Sequence, residues 1–453
     1  MKGLFERAGA DEAVQRLRKL LAGKADSYEI YFSMQKGFGA EAKDGAVDSL
    51  KARSSAGVGL RTVKGKRLGF AYSSVLAADA LAELVDKAIA GSREAAVDEF
   101  LGLPGPQQGI PEGSLDIFDK SFGTVAEEKM INAAIEIEAA ARSFDPRVKR
   151  VRKASYSESL AADRVVNSNG VDIVHSATYY SGSVTAVAES DGESQMGWEI
   201  GMGHRRGSVE SAAIGRKAAG NAVRQLGART IKTVKCGALI ENIVACELLE
   251  ALAGSFLGDN VLKGKSMLIG KKGVKIASPV LNIRDDGIMK AGWATSSYDA
   301  EGTASRRTPL VLGGVCQGYL YDSYWSARAG GESTGNASRG GFKSTPGVGI
   351  TNLYIDKGAK GFDELLKELG SGLFITELLG VHTINTVSGD FSLGAAGFRV
   401  EAGEIAYPVR GMAIAGNLLG LFSGVAECGA DLRFIGSIGA PSLLVNEIEA
   451  SGT

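Results

Sequence analysis

Glycine constrains this chain more than any other residue. It occurs 62 times in 453 residues, roughly twice its usual share, without low-complexity runs and denser after about residue 310. At that density glycine marks tight turns, bulges and the corners of curved sheets. The sequence after Lys235 reads accordingly. One helix over Ile243–Ala253 is followed by short apolar runs broken by glycine: Pro309–Leu312, Val315–Tyr321, Leu373–Thr376, Ala396–Val400, Glu404–Val409 and Ser442–Val445. The pattern predicts a β-rich, strongly curved, barrel-like domain.

The first half has a different rhythm. Ala10–Ala22 sets Val14, Leu17, Leu20 and Leu21 at helical spacing and stops at Gly23. Alternating segments predict strands at Tyr28–Gln35, Ala46–Arg53, Gly57–Val63 and Arg67–Ser74, followed by a helix over Leu76–Ala90. Residues 101–118 hold three of the nine prolines and read as a linker. The pattern then repeats in kind. A helix over Thr124–Ser143 turns Met130, Ile131, Ala134, Ile137 and Ala141 inward. Strands follow at Val148–Leu160, Asp163–Asn167, Asp172–Ala188 and Met196–His204, with Asn169-Gly170 as a hairpin turn, and a helix over Glu210–Leu226 closes the unit. Helix-flanked antiparallel sheet predicts an α+β fold. An N-terminal α+β domain is placed at residues 1–228, in two sub-units split near 100–120, and a C-terminal β-rich domain at 229–453.

Charge excludes some functions. With 51 basic and 52 acidic side chains the formal charge is −1, and no Lys/Arg stripe is interleaved with aromatics, so nothing favours nucleic acid or an anionic membrane as partner. The first 21 residues have scattered charges and no apolar stretch of signal-peptide type. The least polar segment, Gly411–Ala426, falls short of the ~20 apolar residues of a spanning helix. Four cysteines, Cys236, Cys246, Cys316 and Cys428, stand at no zinc-like spacing and suit a reducing compartment. The expectation is a soluble, cytoplasmic protein.

The motifs lie in the second half: SYDAEGTASRR at 297–307, QGYLYDSYWSAR at 317–328, STGNASR at 333–339, TNLY at 351–354, TELLG at 376–380, SGDFSLGAAG at 388–397 and GEIAYPVRGMAIAGN at 403–417. In this order they resemble the C-terminal half of the TldD/PmbA family, once labelled modulators of DNA gyrase. The likeness extends more weakly to GVGLRTVKGKRLGF at 57–70 and VVNSNG at 165–170. The resemblance implies two subunit types. One carries a His-Glu-x-x-x-His helix that binds a metal, expected to be zinc, with a cysteine near the C-terminus as a further ligand. The other, of PmbA or TldE type, lacks the histidine pair and joins the first to form the working protease.

The helix at the corresponding place can be checked residue by residue. A zinc protease needs two imidazoles on one helix face, a third ligand and a glutamate base. Ile243–Ala253 offers Cys246, Glu247 and Glu250 and no histidine, and the only histidines, His175, His204 and His382, form no helical pair. The expectation is a subunit with no catalytic residue, metal ligand or cofactor of its own. A TldD-type subunit, a second copy of itself, or both would be its partners, and a peptide its substrate. Cys428-Gly429 sits near the place of the family's cysteine ligand; a free cysteine is otherwise a small buried hydrophobe.

Candidate substrate-binding residues follow from the same motifs. Asp299 and Glu301 are read as two carboxylates on one strand face, suited to acid–base work or to holding a substrate amine, or as ion-paired with Arg307 in a turn beside the cleft. Asn336, in the polar 333–339 loop, with Thr351 and Asn352, lines a peptide cleft or shapes a turn. Ser388, Gly389 and Asp390 let one backbone approach another, so that an extended peptide could pair with an edge strand, or form a barrel corner. His175 and His204 read as structural, and His382 as a possible lining residue. Two other functions stay open. One is an independent hydrolase using Cys246 or Cys428 with a histidine; the other is a regulatory protein acting on gyrase.

Overall fold

The computed structural model describes residues 9–452. Residues 1–8, on which part of the expectation of no leader rests, lie outside the described residues. The fold is α+β, with an antiparallel sheet domain followed by a β-rich domain that contains a closed barrel.

The N-terminal sheet is made of long strands: β1 (Ser27–Lys43), β2 (Ala46–Lys64), β3 (Arg67–Ser73), β4 (Val148–Asn167), β5 (Asp172–Ser190) and β6 (Glu193–Gly203). Their order is β3-β2-β1-β4-β5-β6, antiparallel throughout. The strands on either side of the 101–118 segment thus form one sheet, joined where β1 pairs with β4. Two predicted breaks are absent. Ser54–Ala56 pair with β1 and carry β2 straight through, and Ala161-Ala162 do the same for β4, with Ala162 buried beneath a helix.

Among the described residues four helices cover one face: α1 (Ala10–Leu21) and α2 (Ala78–Glu94) at one end, α3 (Glu127–Arg142) and α4 (Ser211–Val223) at the other. The first pair buries Val14, Leu17, Leu84 and Val85 on Ile30, Phe32 and Leu60; the second buries Ile137 and Ile214 on Ala40, Tyr156 and Val184. Each outer strand carries a glycine beneath its helix. A Cβ on Gly69 would stand 1.8 Å from the Ala88 carbonyl oxygen, and one on Gly197 would stand 2.2 Å from that of Ala218, so only glycine allows the approach. The 101–118 segment is tied down: Asn167 and Asn169 donate side-chain N–H groups to Pro104 and Leu103 carbonyls, both at 2.8 Å, and Leu115 and Ile117 are buried.

The C-terminal domain begins with β7 (Val234–Ile240) and helix α5 (Asn242–Ala253). The strands that follow are β8 (Ile283–Asp286), β9 (Arg307–Leu312), β10 (Val315–Cys316), β11 (Ala337–Ser338), β12 (Gly347–Val348), β13 (Leu353–Ile355), β14 (Gly372–Leu379), β15 (Asp390–Glu401), β16 (Glu404–Asn417), β17 (Val425–Cys428), β18 (Arg433–Ile435), β19 (Ile438–Ala440) and β20 (Leu443–Ser451). Strands β16-β15-β14-β7-β20 form the barrel, closed by pairing of Ala413–Ala415 with Glu449–Ser451, and β17 adds to β20 outside it. A mixed sheet, β10-β9-β8-β13-β19-β18, stands beside it. Helix α5 packs against β14 on one side and β18 and β19 on the other, which is why it is apolar nearly all round.

A buried charge network joins the two domains. Glu29 and Arg61 face each other across β1 and β2. The Arg61 guanidinium donates through Nη2 to Glu29 Oε2 at 2.7 Å and to Glu301 Oε1 at 2.8 Å, and Arg339 donates to the other oxygen of Glu29. None of the four side chains is more than 8% exposed. Removing one partner of such a set leaves a carboxylate buried without its cation, a loss of about 3–5 kcal/mol. Arg61→Met is expected to lower urea-unfolding stability by that order, and Arg61→Lys to recover only part of it, because an ammonium lacks the planar fork. A loss for Arg61→Met below about 1 kcal/mol, the range of exposed pairs, would show that the network does not hold the domains.

Candidate functional site

A cavity of about 260 Å³ opens where the helix-free face of the N-terminal sheet meets the C-terminal domain. Strand alternation decides which side chains reach it. Tyr31 of β1, Asp163 and Val165 of β4, and Ile173, His175 and Tyr179 of β5 form the sheet wall. The opposite wall is built from the 294–300 segment, Ser305, residues 335–339 around β11 and residues 349–351.

The sheet wall carries a polar relay. Tyr31 donates its phenolic O–H to Asp163 at 2.7 Å, Asp163 stands opposite His175 in the β4–β5 register, and His175 Nδ1 lies 3.2 Å from Ser296 Oγ. Burial pushes the Asp163 carboxyl and the Tyr31 hydroxyl above their ordinary values, and for Asp163 this outweighs the attraction of His175. On the facing wall Asp299 accepts backbone N–H groups from Glu301 and Thr303 on one oxygen and from Ala337 on the other, at 2.9–3.0 Å. Gly302 at φ +90° completes this turn. Burial first, then the neighbouring Glu301, raises the Asp299 carboxyl, while Arg61 holds Glu301 ionised.

The candidate residues separate into groups. Asp299, Asn336 and Thr351 line the cavity together. Asn336 and Thr351 are held by a residue outside the predicted set, Asp285. It accepts from Asn336 Nδ2 at 2.7 Å and from Thr351 N and Oγ1 at 2.7 and 2.8 Å, and burial pushes its carboxyl up to about 6 against those bonds. Asn352 is fully buried behind the wall, donating to the Asp286 carbonyl and to Thr295. The Asp299-x-Glu301 motif is a turn, not a strand, so its carboxylates diverge: Asp299 faces the cavity and Glu301 the Arg61 network. Arg307 pairs with Asp286 at 2.6 Å, not with either of them. Ser388, Gly389 and Asp390 stand apart at the start of β15, in a turn clamped by Asn417, which donates to the Ser388 carbonyl and Asp390 Oδ1. His204 is buried between the Thr178 and Gly292 carbonyls, and His382 is exposed.

Tyr31, Asp163, Ser296 and Arg339 are not among the candidate residues of the sequence, and His175, read there as structural, stands in the cavity wall. A two-residue turn at Asn169-Gly170 would set Asp163 across from Ser176. The loop is one residue longer, residues 168–170 closed by the Asn167 N–H on the Val171 carbonyl at 3.0 Å, and this register sets Asp163 across from His175.

Helix α5 shows what becomes of the remaining candidates. The Cys246 thiol is buried and directed at the carbonyl oxygens of Arg433 and Ile438, at 3.5 and 3.6 Å; burial pushes it up to about 12. Glu250 is exposed, and Glu247, half-buried, is raised to about 7 by burial and then by Glu250 and Glu377. Cys428 is buried in β17, its thiol likewise pushed up to about 12 by burial and the nearby Glu427 and Asp356 carboxylates.

Family models match nearly the whole chain: the PmbA/TldA metallopeptidase domain 1 over residues 28–92, the central domain over 120–226 and the C-terminal domain over 233–452. The chain belongs to the PmbA/TldA metallopeptidase family. It is 28% identical to the metalloprotease PmbA of Escherichia coli O157:H7 over 444 residues, covering 98% of this chain and 96% of the relative. A crystal structure from Thermotoga maritima, provisionally assigned as a modulator of a DNA gyrase, superposes with a TM-score of 0.90 at 25% identity, covering 97% of this chain and 100% of that one. TldE from Thermococcus kodakarensis gives 0.90 at 21% identity with the same coverage, a likeness of fold.

The family name implies a metal, and the donor set of α5 does not fit one. Its face offers no imidazole, its thiol is turned into the core, and among the described residues no group of three or more His, Cys, Asp and Glu could hold an ion. The cavity instead offers two carboxyls, Asp163 and Asp299, that burial pushes above their ordinary values. Asp299 binds its proton more tightly folded than unfolded, so its contribution to stability is complete below the ordinary value of 3.8 and is lost as pH rises through its elevated folded value. Asp299→Asn is therefore expected to flatten the decline of unfolding free energy between about pH 4 and 7, whatever its constant offset. Parallel curves for the two proteins would refute this.

Proposed function

We propose that this chain is the PmbA/TldE-type subunit of a TldD/TldE-type metalloprotease that processes peptides or unfolded polypeptides in the cytoplasm. It contributes peptide binding and assembly, and a TldD-type partner carries the metal, expected to be zinc. One observation carries the reading. In a chain that matches the family over nearly its whole length, the helix in the place of the metal motif presents Cys246 to the core and no histidine to solvent. The interdomain cavity supports the peptide role, because it gathers Asp299, Asn336 and Thr351 with hydroxyl and imidazole groups from the sheet. Four free cysteines, and the absence among the described residues of any helix long and apolar enough to cross a membrane, are consistent with the assigned compartment.

The test is a comparison of the purified chain alone with the chain mixed with a TldD-type subunit. Metal analysis should find substoichiometric zinc in the chain alone, and cleavage of an unfolded polypeptide should require the mixture and stop on chelation. Stoichiometric zinc together with proteolysis by the chain alone would overturn the proposal. A cysteine hydrolase would need an ionisable, accessible thiol. Cys246→Ala and Cys428→Ala are accordingly expected to leave cleavage by the mixture unchanged once folding is verified by thermal melting. Abolition of cleavage by either one in a folded protein would establish a thiol nucleophile.

A further inference from the structure

The interdomain cavity has a charge pattern that selects its ligand. Two carboxyl groups enter it from different domains, Asp163 from β4 and Asp299 from the facing turn. The guanidinium in its wall, Arg339, is already engaged: it pairs with Glu29, donates from Nε to the Ala300 carbonyl at 3.2 Å and lies over the Tyr31 ring at 4.5 Å. Tyr31 and Tyr179 present aromatic surface, and Ser296 adds a hydroxyl oxygen. At about 260 Å³ the space is many times the roughly 30 Å³ share of a water molecule, enough for one small side chain or chain end.

A primary ammonium has three N–H donors and no acceptor, and aromatic faces attract cations. A carboxylate is a strong acceptor for a cationic donor, because charge-assisted hydrogen bonds are the strong ones. Acceptors on two walls with aromatic surface beside them match that ligand. An anion would meet the same two carboxyls; of the basic groups in the wall, Arg339 is engaged with Glu29, and His175 stands across from Asp163 with its Nδ1 3.2 Å from Ser296 Oγ.

We infer that this cavity binds a protonated primary amine, with the Asp163 and Asp299 carboxylates and Ser296 Oγ accepting its three N–H groups. The amine is either the amino terminus of a peptide or a lysine side chain. Only that choice of source rests on the peptide-binding proposal; the ammonium chemistry stands on the cavity itself.

Calorimetric titration of the full chain near pH 7 tests this with five probes: n-butylamine, n-butanol, tetra-alanine, N-acetyl tetra-alanine, and an N-acetyl peptide containing one lysine. Butylamine is expected to bind where butanol does not. Tetra-alanine should bind at least about tenfold tighter than its acetylated form, the factor of one charge-assisted hydrogen bond. The acetylated lysine peptide separates the sources, regaining that factor only if a side chain can enter. Asp163→Asn still accepts from Tyr31 and should lower the ratio of tetra-alanine to N-acetyl tetra-alanine affinity about tenfold. Equal binding of butylamine and butanol, or an Asp163→Asn protein that is folded and keeps the preference, overturns the inference. Peptide binding indifferent to acetylation and to lysine removes it and leaves the peptide proposal in place. Amine binding with no peptide binding does the reverse.

Discussion

Everything at the interdomain site depends on the buried contact of Arg61 with Glu29 and Glu301. A guanidinium placed between two carboxylates in a water-poor junction is costly to desolvate, and burial works against its charge. The two partners more than offset this, so Arg61 is held charged more firmly than in water. Arg339 repeats the arrangement from the other domain and reaches the same Glu29. The sheet and the turn at Asp299–Gly302 thereby take one relative position, because a shifted arrangement would strand charges away from both partner and solvent. That position brings the Tyr31–Asp163–His175 side of the sheet against the Asp299 wall, and a cavity lined from two domains results.

The legible part of this structure was local. Helical periodicity in Ala10–Leu21, the Asn169-Gly170 hairpin and the glycine-broken apolar runs of the second half each reflect neighbours in sequence, so α1, the β4–β5 turn and the barrel strands could be read. Strand continuity at Ser54–Ala56 and Ala161-Ala162 could not, because small polar or apolar residues resemble turn material until the strands on either side are known to pair through them. The site was legible only in part for the same reason. Asp299, Asn336 and Thr351 lie in glycine-containing polar loops that draw notice. Asp163, His175 and Tyr31 look like ordinary strand residues, and their role depends on which face the second domain covers. Arg307 illustrates the opposite error: adjacency suggested a pairing with Glu301, and geometry gives it to Asp286.

Helix α5 is part of the core. With strands on both sides, an imidazole projecting from its buried face would need a polar partner there, and the positions are taken by leucine, alanine and the inward thiol of Cys246. Its remaining carboxylates, Glu247 and Glu250, sit toward the outer side, and Glu247, pushed up to about 7, is partly protonated at neutral pH. The buried carboxyls that burial raises, Asp163, Asp285 and Asp299, accordingly gather at the domain junction.

The closure of the barrel has a consequence for how the protein is made. Strand β7 is among the first parts of its domain to leave the ribosome, yet its two neighbours, β14 and β20, arrive about 130 and 200 residues later. At a synthesis rate of roughly 5–20 residues per second, its edges and the apolar helix behind it wait about 7–26 s for β14 and about 10–40 s for β20. The N-terminal sheet meets a similar delay, because β1 pairs with β4, from Glu29 with Asn167 to Ala42 with Ala154. Both domains are therefore of high contact order, and the open edges of β1 and then of β7 must be shielded until the late strands of each sheet are delivered.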